Sequence, residues 1–237
     1  MNTVLLTTFT CHHSYFAAAV RDEFPWRAIF LENDRTHSFS KARHGFEKAQ
    51  YEYERRELSG GLWDSMNDIA PTKAFPCLND VECVAALRAL NPEVVIVFGT
   101  GRLKPSVIEV ASRACLNLHG GDPEEYRGLD SHLWAIYHQD WRSLITTLHH
   151  VDSRLDTGDI MLQEQLRLSR HVKLYELRAV NTRACVNLVL MALDSLHRRG
   201  WLPRRCQRRH GRYYSSMPRE LKKVCARKFN EHVKGLK

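Results

Sequence analysis

The unbroken apolar run at residues 94–98, within the string PEVVIVFG, is the feature that most constrains how this chain folds. The run is rich in β-branched residues and shows no polar alternation. A short segment of this kind is typical of a strand that is covered on both faces, as in a parallel sheet. We therefore predict a buried strand from residue 92 to 98.

Further apolar runs alternate with helical segments through the first half of the chain. TVLLTTF at 3–9, WRAIFLE at 26–32 and ACLNLH at 114–119 also predict strands, and helices are predicted at 81–90 and 105–113. Regular alternation of strands and helices is the pattern of a doubly wound sheet. The predicted fold class is therefore α/β, with a Rossmann-like, mostly parallel sheet.

The second half of the chain is less regular. Its predicted elements are a helix at 131–140, strands at 144–151 and 159–168, a long helix at 175–200, a basic hairpin at 198–212 and a short amphipathic C-terminal helix. We divide the chain into a larger domain, 1–168, and a C-terminal segment of helices and hairpin, 169–237, used for substrate binding or dimer contacts. The polar stretch 35–68 gives no clear order of elements.

Charge and cysteine usage narrow the possible partners and compartment. The formal charge is +8, and the run from Arg198 to Arg212 holds seven arginines and no acid. Such a run is either a phosphate-binding surface for a nucleotide or RNA, or a solvated face without a partner. Seven isolated cysteines without a CxxC pair indicate reduced thiols. With neither a basic leader nor an apolar stretch of about 20 residues, we expect a cytoplasmic protein that does not contact a membrane.

Ligands of open α/β sheets bind beyond the carboxyl ends of the strands, so the loops there are the candidate site. FGTGRL follows the strand at 92–98, but Lys104 stands where a dinucleotide fingerprint requires its third glycine. The loop therefore suits close approach of a flat ligand, or it is a plain strand-to-helix turn. The other two strand ends are NLHGG and HHVDSRLDTGD.

Asn117 and His119 alternate with leucines, so both side chains lie on one face of their strand. An amide donor beside an imidazole suits acyl transfer, because the amide can stabilise a developing oxyanion and the ring can move a proton. Asp156, in the turn LDTGD, is placed to orient the imidazole of His119. The alternative is that these residues only build the strand end and the turn.

The strings NLHGG, YRG and WAI, followed by TTLHHVD and LDTGDI, resemble the 10-formyltetrahydrofolate-dependent formyltransferases over residues 92–168. That family includes methionyl-tRNA formyltransferases, glycinamide ribonucleotide formyltransferases and nucleotide-sugar N-formyltransferases. The Asn-x-His motif followed by Leu-Asp-x-Gly, with Asp156 37 positions after His119, is a specific signature. The resemblance implies a formyltransferase that uses 10-formyltetrahydrofolate as the formyl donor and requires no metal.

The resemblance also implies roles for individual positions. It makes Asn117, His119 and Asp156 the catalytic residues. It assigns the donor site to the strand end and two turns, at Phe98, Gly101, Arg102, Leu103, Asp152, Arg154 and Leu155. It assigns substrate contacts to His149, Tyr126, Arg127 and Gly121.

The sequence indicates the amine that accepts the formyl group less clearly than it indicates the reaction. The loop Gly121-Asp122-Pro123-Glu124 departs from the family's Ser-Leu-Leu-Pro, and FTCHHSYF lacks the glycines of the purine-pathway phosphate loop. The ending GRYYSSMPRELK resembles nucleotide-sugar N-formyltransferases, which act in surface polysaccharide synthesis, more than the C-terminal barrel of methionyl-tRNA formyltransferases. The expected partner is therefore a nucleotide-sugar substrate, with no nucleic acid.

Several alternatives stay open. The acceptor could be another small amine such as a hydroxyornithine, or methionyl-tRNA, or water in a hydrolase. A chain without turnover, which only binds folate or a nucleotide, is a further alternative. Four aromatic residues could stack on a base or pack in the core, namely Trp134, Tyr137, Tyr213 and Tyr214. The apolar segment LVLMAL, residues 188–193, suggests a possible homodimer or burial in the chain's own core.

Overall fold

The computed structural model describes residues 1–33, 45–58 and 65–236. Its strands are β1 (Thr3–Thr7), β2 (Ala28–Glu32), β3 (Thr72–Phe75), β4 (Val94–Phe98), β5 (Ala114–His119), β6 (Tyr126–Gly128), β7 (Ile145–His150), β8 (Ile160–Gln165) and β9 (Arg212–Tyr214). Its α-helices are α1 (Cys11–Arg21), α2 (Phe46–Glu57), α3 (Val81–Leu90), α4 (Pro105–Ile108), α5 (Ser131–Tyr137), α6 (Leu177–Arg199) and α7 (Arg219–Lys234). Single 3₁₀ turns occur at Met66–Asp68, Trp141–Ser143 and Leu174–Glu176.

Seven strands form one sheet in the order β3-β2-β1-β4-β5-β7-β8. The first five are parallel, whereas β7 runs antiparallel to both β5 and β8. The predicted fold class, a mostly parallel Rossmann-like sheet, is confirmed. Strands β6 and β9 form a separate two-stranded parallel sheet.

Both faces of the central strands are buried, as their unbroken apolar sequences predict. Leu5 and Ile96 point to one face, where they join a core that includes α1 and α6. Val4 and Val95 point to the other face and pack with α3 and residues that follow β4. Since α6 lies in the same core as β1 and β4, most of the LVLMAL segment is buried within the chain, with only Met191 largely exposed. The domain division at residue 168 and the possible homodimer remain predictions.

The predicted helix at 105–113 is too long. The helix ends at Ile108, because the N–H groups of Ser112 and Arg113 donate to the carbonyls of Pro92 and Glu93. These bonds anchor the chain beside the start of β4 and begin the next strand.

The predicted basic hairpin at 198–212 is wrong. Arg205 instead exchanges backbone hydrogen bonds with Ile160, and β9 pairs with β6 in the parallel direction. Carboxylates outside the segment also neutralise part of its positive charge. Arg204 pairs with Asp159, and Arg205 pairs with Glu124. Arg198 and Arg199 belong to the end of α6. From Gly200 onwards the segment is an extended strap, held by the acidic residues that its own sequence lacks.

Sequence patterns did not reveal β3 or α2, both of which fall in or just after the polar stretch 35–68. The parts of that stretch at 34–44 and 59–64 lie outside the described residues. In the described parts of the chain, no helix is long and apolar enough to cross a membrane.

Candidate active site

Strand β5 places Asn117 and His119 where the sheet changes from parallel to antiparallel pairing. Asn117 is opposite His149 on β7, and His119 is opposite Thr147. The two side chains share one face, as their spacing predicts. The strand end lies next to β4 and the loop 98–103, so that several predicted segments meet at this point.

The imidazole of His149 orients the amide of Asn117. Nδ1 of His149 lies 2.8 Å from the carbonyl oxygen of His150, a contact that requires a proton on Nδ1. In the neutral ring Nε2 is then an acceptor, and it lies 3.1 Å from Nδ2 of Asn117. One amide N–H is thereby occupied, and the second points towards Asp156, whose Oδ1 is 3.5 Å away. This second N–H is available to an oxygen of a bound ligand.

Asp156 is a buried carboxylate in a left-handed turn. Its φ is 54°, in a region that asparagine and aspartate tolerate better than most residues, and 6% of the residue is exposed. Oδ2 accepts a 2.8 Å hydrogen bond from the N–H of Gly128. Burial alone raises the pKa of Asp156, but His119, His149 and the Gly128 N–H together outweigh burial and hold this pKa well below its usual range. Asp156 therefore stays ionised at neutral pH.

His119 has oxygen acceptors beside both ring nitrogens. Nε2 lies 2.8 Å from the carbonyl oxygen of Tyr126, and Nδ1 lies 3.6 Å from Oδ2 of Asp156. The first distance is a hydrogen bond, whereas the second is too long for one. Nε2 is thus tied to the protein, and Nδ1 is the ring atom next to the charged carboxylate. An imidazolium in this position can donate from Nδ1 to a ligand.

Residue 128 must be a glycine because strands β6 and β9 approach each other closely at this position. Its φ is 92°, and a Cβ at this position would collide with the backbone carbonyl of Tyr214. Only glycine allows β6 to pair with β9 and at the same time direct its N–H to Asp156.

A cavity of about 320 Å³ opens at the end of β5. The three predicted catalytic residues and His149 line it. All seven residues predicted for the donor site also line it, namely Phe98, Gly101, Arg102, Leu103, Asp152, Arg154 and Leu155. Their turn is internally braced, because Oδ1 of Asp152 accepts from the N–H of Arg154 at 3.0 Å and from the Thr157 hydroxyl at 2.7 Å. The structure thus brings together two loops that are about 50 residues apart in sequence.

Three of the residues predicted to bind substrate line neither this cavity nor the second one described below. Tyr126 offers its backbone carbonyl to His119, while its ring stacks on Tyr214. The guanidinium of Arg127 donates to the carbonyls of Gly211 and Leu155. Gly121 passes close to Ser131, and its neighbour Gly120 lines the cavity instead. These residues are placed to support the site rather than to face its space.

The unusual acidic loop after Gly121 secures the basic strap. Glu124 accepts hydrogen bonds from Arg205 at 2.9 and 3.1 Å and from the N–H of Arg208. The hydrogen bond from Arg205 lowers the pKa of Glu124. Of the seven arginines in the run, those at 198, 204, 205 and 209 are paired with carboxylates.

Three of the four aromatic residues that could stack on a base pack against each other instead. The rings of Trp134 and Tyr214 are stacked with their centroids 4.9 Å apart, and Tyr137 packs at the edge of Trp134. Tyr213 is 55% exposed, and a Cβ on Gly128 would contact its ring. Tyr213 is therefore the most exposed of the four, although it lines neither of the two cavities.

A second cavity, of about 330 Å³, lies on the other side of the strand end. Residues of α2, α5, α6 and α7 line it, and it shares His119, Gly120, Gly128, Leu129, Arg178 and Asn181 with the first cavity. Sequence reasoning missed Arg178 and Asn181, together with His12 and His13 of the first cavity. The pair His12-His13 directly after β1 was a usable signal, since that strand also ends at the ligand edge of the sheet. Arg178 sits on a long helix and offered no comparable signal.

No cluster of three or more histidine, cysteine, aspartate or glutamate side chains suited to a metal ion occurs among the described residues. The arrangement instead provides a neutral amide donor, an imidazole and a carboxylate at one end of a ligand-sized cavity.

Comparison with known proteins agrees with this arrangement. A family model described as formyl transferase matches residues 66–184. A methionyl-tRNA formyltransferase of Clostridioides difficile is 31% identical over 108 residues, which are 45% of this chain and 33% of that protein. The chain thus spans about a third of the length of this curated relative.

Two solved structures share the fold. A sugar N-formyltransferase from a Shewanella species superposes with a TM-score of 0.60 at 13% identity, over 96% of this chain and 87% of that one. The formyltransferase PseJ from Anoxybacillus kamchatkensis was solved with UDP-4,6-dideoxy-4-formamido-L-AltNAc and tetrahydrofolate. It gives a TM-score of 0.51 at 18% identity, over 90% of this chain and 86% of PseJ. The family model covers half of the chain, and the chain therefore belongs to the formyl transferase family.

Proposed function

We propose that this chain transfers the formyl group of 10-formyltetrahydrofolate to the amino group of a nucleotide-linked amino sugar, for surface polysaccharide synthesis. One observation carries the proposal. Asn117, His119 and Asp156 converge at the end of β5, in the cavity whose wall contains all seven residues predicted for the donor.

The geometry supports direct transfer without a covalent enzyme intermediate. A neutral amine attacks the formyl carbon, and the carbonyl oxygen becomes an oxyanion. The second N–H of Asn117, which exchanges its long 3.5 Å contact with Asp156 for the oxyanion, and the Nδ1–H of protonated His119 stabilise this oxyanion. Such preorganised donors contribute several kcal/mol each. The new C–N bond forms as the bond from the formyl carbon to N10 of the folate breaks. The amine's proton leaves to a water near Asp156, and Nδ1 of His119 gives its proton to N10 as tetrahydrofolate departs. The ring then takes up the proton held by the water, which restores the starting state.

Two observations support a sugar-nucleotide acceptor. The sugar N-formyltransferase and PseJ superpose over 87% and 86% of their own lengths, far more than the third of the methionyl-tRNA formyltransferase that matches in sequence. The second cavity also lies between the C-terminal helices and the catalytic residues, which leaves room for an acceptor opposite the donor side.

Methionyl-tRNA is the second candidate, because several curated relatives that match in sequence are named methionyl-tRNA formyltransferases. The matched part is only a third of the relative from Clostridioides difficile. In addition, four arginines of the basic run already have carboxylate partners, which lowers the positive charge available to an RNA backbone.

The proposal is tested by turnover with 10-formyltetrahydrofolate and a panel of amino-sugar nucleotides, following release of tetrahydrofolate. Methionyl-tRNA, hydroxyornithine and an acceptor-free reaction form the other arms. We expect release that depends on one sugar nucleotide and is lost in His119→Ala. Release without acceptor would indicate a hydrolase, and formylation of methionyl-tRNA alone would replace the sugar with tRNA. Folate binding without release in any arm would contradict the proposal in favour of a binding protein.

A further inference from the structure

A second cluster of ionisable groups, not used in the mechanism above, lies at the start of α1. Thr10 caps this helix, and its hydroxyl lies 2.9 Å from Nδ1 of both His12 and His13. The Thr8 hydroxyl lies 3.0 Å from Nδ1 of His13. Both histidines are more than nine-tenths buried.

The hydrogen bonds fix where the protons lie. The Thr10 hydroxyl carries one proton and can donate to only one of the two rings, so the other ring must donate to it. Glu54 Oε2 lies 3.8 Å from Nδ1 of His12, which favours the proton on that nitrogen. Thr10 then donates to Nδ1 of His13, and the proton of His13 lies on Nε2. Burial, with a smaller effect of the Arg178 charge, lowers the pKa of His13 to about 3, so the ring is an uncharged donor at neutral pH.

Nε2 of His13 is directed into the first cavity. It packs so closely on Gly99 that a Cβ there would collide with it. Among the described residues no side chain or carbonyl accepts a hydrogen bond from this nitrogen, and His13 lines the cavity. Nε2 is therefore a donor that faces the cavity without a protein partner, and a ligand atom in the cavity can accept its hydrogen bond.

Arg178 is held by a carboxylate on the side away from the cavities. Its Nε and Nη2 donate to the two oxygens of Glu54 at 2.6 and 2.7 Å, a bidentate pair. The Glu54 side chain is 1% exposed, whereas that of Arg178 is 42% exposed. The carboxylate is thus screened behind the guanidinium, and Nη1 remains free to meet a ligand.

The position of Arg178 makes it distinct from the other cations around the two cavities. Arg178 lines both cavities, at their junction with His119. Lys222, at the far end of the second cavity, is shared between Glu47 and Asp130. Arg102 donates to the carbonyl of Ser153 on the donor side.

We infer that Arg178 and His13 bind a phosphate group of the acceptor, and that Glu54 is the positioning residue for this contact. The inference rests on the proposed function, because it assigns the diphosphate of a nucleotide-linked acceptor to this junction. A phosphate oxygen takes hydrogen bonds from the guanidinium Nη1 and from the uncharged Nε2–H of His13. The ligand class that this pair selects is an amine whose carrier bears phosphate within reach of His119.

Isothermal titration with inorganic pyrophosphate tests the contact without any formyl transfer. The proteins are wild type, Arg178→Gln, Arg178→Lys, His13→Leu and the control Arg183→Gln. Arg183 lies exposed on the same helix and lines neither cavity. Tetrahydrofolate is titrated in parallel as a measure of the donor site.

We expect Arg178→Gln to weaken pyrophosphate binding at least tenfold, and Arg178→Lys and His13→Leu to weaken it less. Arg183→Gln should keep both its pyrophosphate and its tetrahydrofolate affinity within twofold of wild type. If Arg178→Gln does not fold, Arg178→Lys keeps the charge and the aliphatic stem but not the fork, and its loss of affinity decides the question. Equal affinity in wild type and these variants, an equal loss in Arg183→Gln, or no pyrophosphate binding by wild type would overturn the inference. Failure of the proposed function would appear separately, as absent tetrahydrofolate binding or absent transfer.

Discussion

The two walls of the active-site region are built in different ways. The donor wall, named for its proposed ligand, consists of turns that directly follow strands, at residues 98–103 and 152–156, and each turn belongs to a short motif. The opposite wall, called the acceptor wall for the ligand proposed there, is assembled from Arg178 on α6 and Glu54 on α2, which are 124 positions apart, and from the start of α1. The donor wall is therefore defined by local sequence, while the acceptor wall depends on how the helices pack. This difference suggests that the reaction is easier to read from sequence than the substrate.

The largest effect on activity is expected at the strand end that both walls share. His119→Ala removes the proposed oxyanion donor, and we predict a fall in kcat of roughly 10³-fold. Tetrahydrofolate affinity should change little, because the donor turns remain. Steady-state kinetics and titration with tetrahydrofolate check both points. A variant that keeps wild-type kcat would remove His119 from the mechanism.

Gly128→Ala should have the next largest effect, because it disturbs a contact that both walls share. The added Cβ would collide with the Tyr214 carbonyl and move the N–H away from Asp156. A displacement of about 1 Å can cost roughly 10²-fold in rate. Gly200→Ala is the matched control, since Gly200 also has a positive φ but open space around it. Thermal unfolding and kcat should separate the two variants, and equal behaviour would contradict the assigned role of Gly128.

Asp152→Ala changes the donor wall alone, and it therefore tests whether the two walls bind their ligands independently. Without its carboxylate the turn loses the bonds from the Arg154 N–H and the Thr157 hydroxyl. We predict that KM for the formyl donor rises about tenfold, equivalent to one or two hydrogen bonds, while KM for the acceptor is unchanged. Asp194→Ala, on the exposed side of α6, serves as the control. A rise in the acceptor KM instead would show that the walls are not separate.

The sequence was sufficient for the fold class and for the catalytic face. The alternation of Asn117 and His119 along one strand places them together whatever the rest of the chain does, and the turn at Asp156 could be matched to them. It was not sufficient for Arg178, because an arginine on a helix looks like any solvated cation until its partner is known. The same reason explains the failed hairpin, since the acids that pair with the arginines of the strap lie elsewhere in the sequence.

The last prediction concerns stability rather than activity, and it connects pH with the acceptor wall. Because the folded-state pKa of His13 is lowered to about 3, the unfolded chain binds a proton below its own pKa of about 6.5 while the folded chain does not. Stability should therefore fall as pH drops from about 6.5 towards 3, by about 1.4 kcal/mol per pH unit for this one group. His13→Gln should make the slope shallower by that amount in urea unfolding between pH 6 and 4. An unchanged slope would show that His13 is already protonated in the folded protein.

Transfer of a labelled formyl group tests the central claim most directly. The donor would carry ¹³C in its formyl group, and NMR would follow whether the label appears in a formamide of the sugar nucleotide or in free formate. We predict formamide with wild type, and loss of that signal in Asn117→Ala although tetrahydrofolate still binds. Label found only as formate, or formamide made equally by Asn117→Ala, would contradict the account.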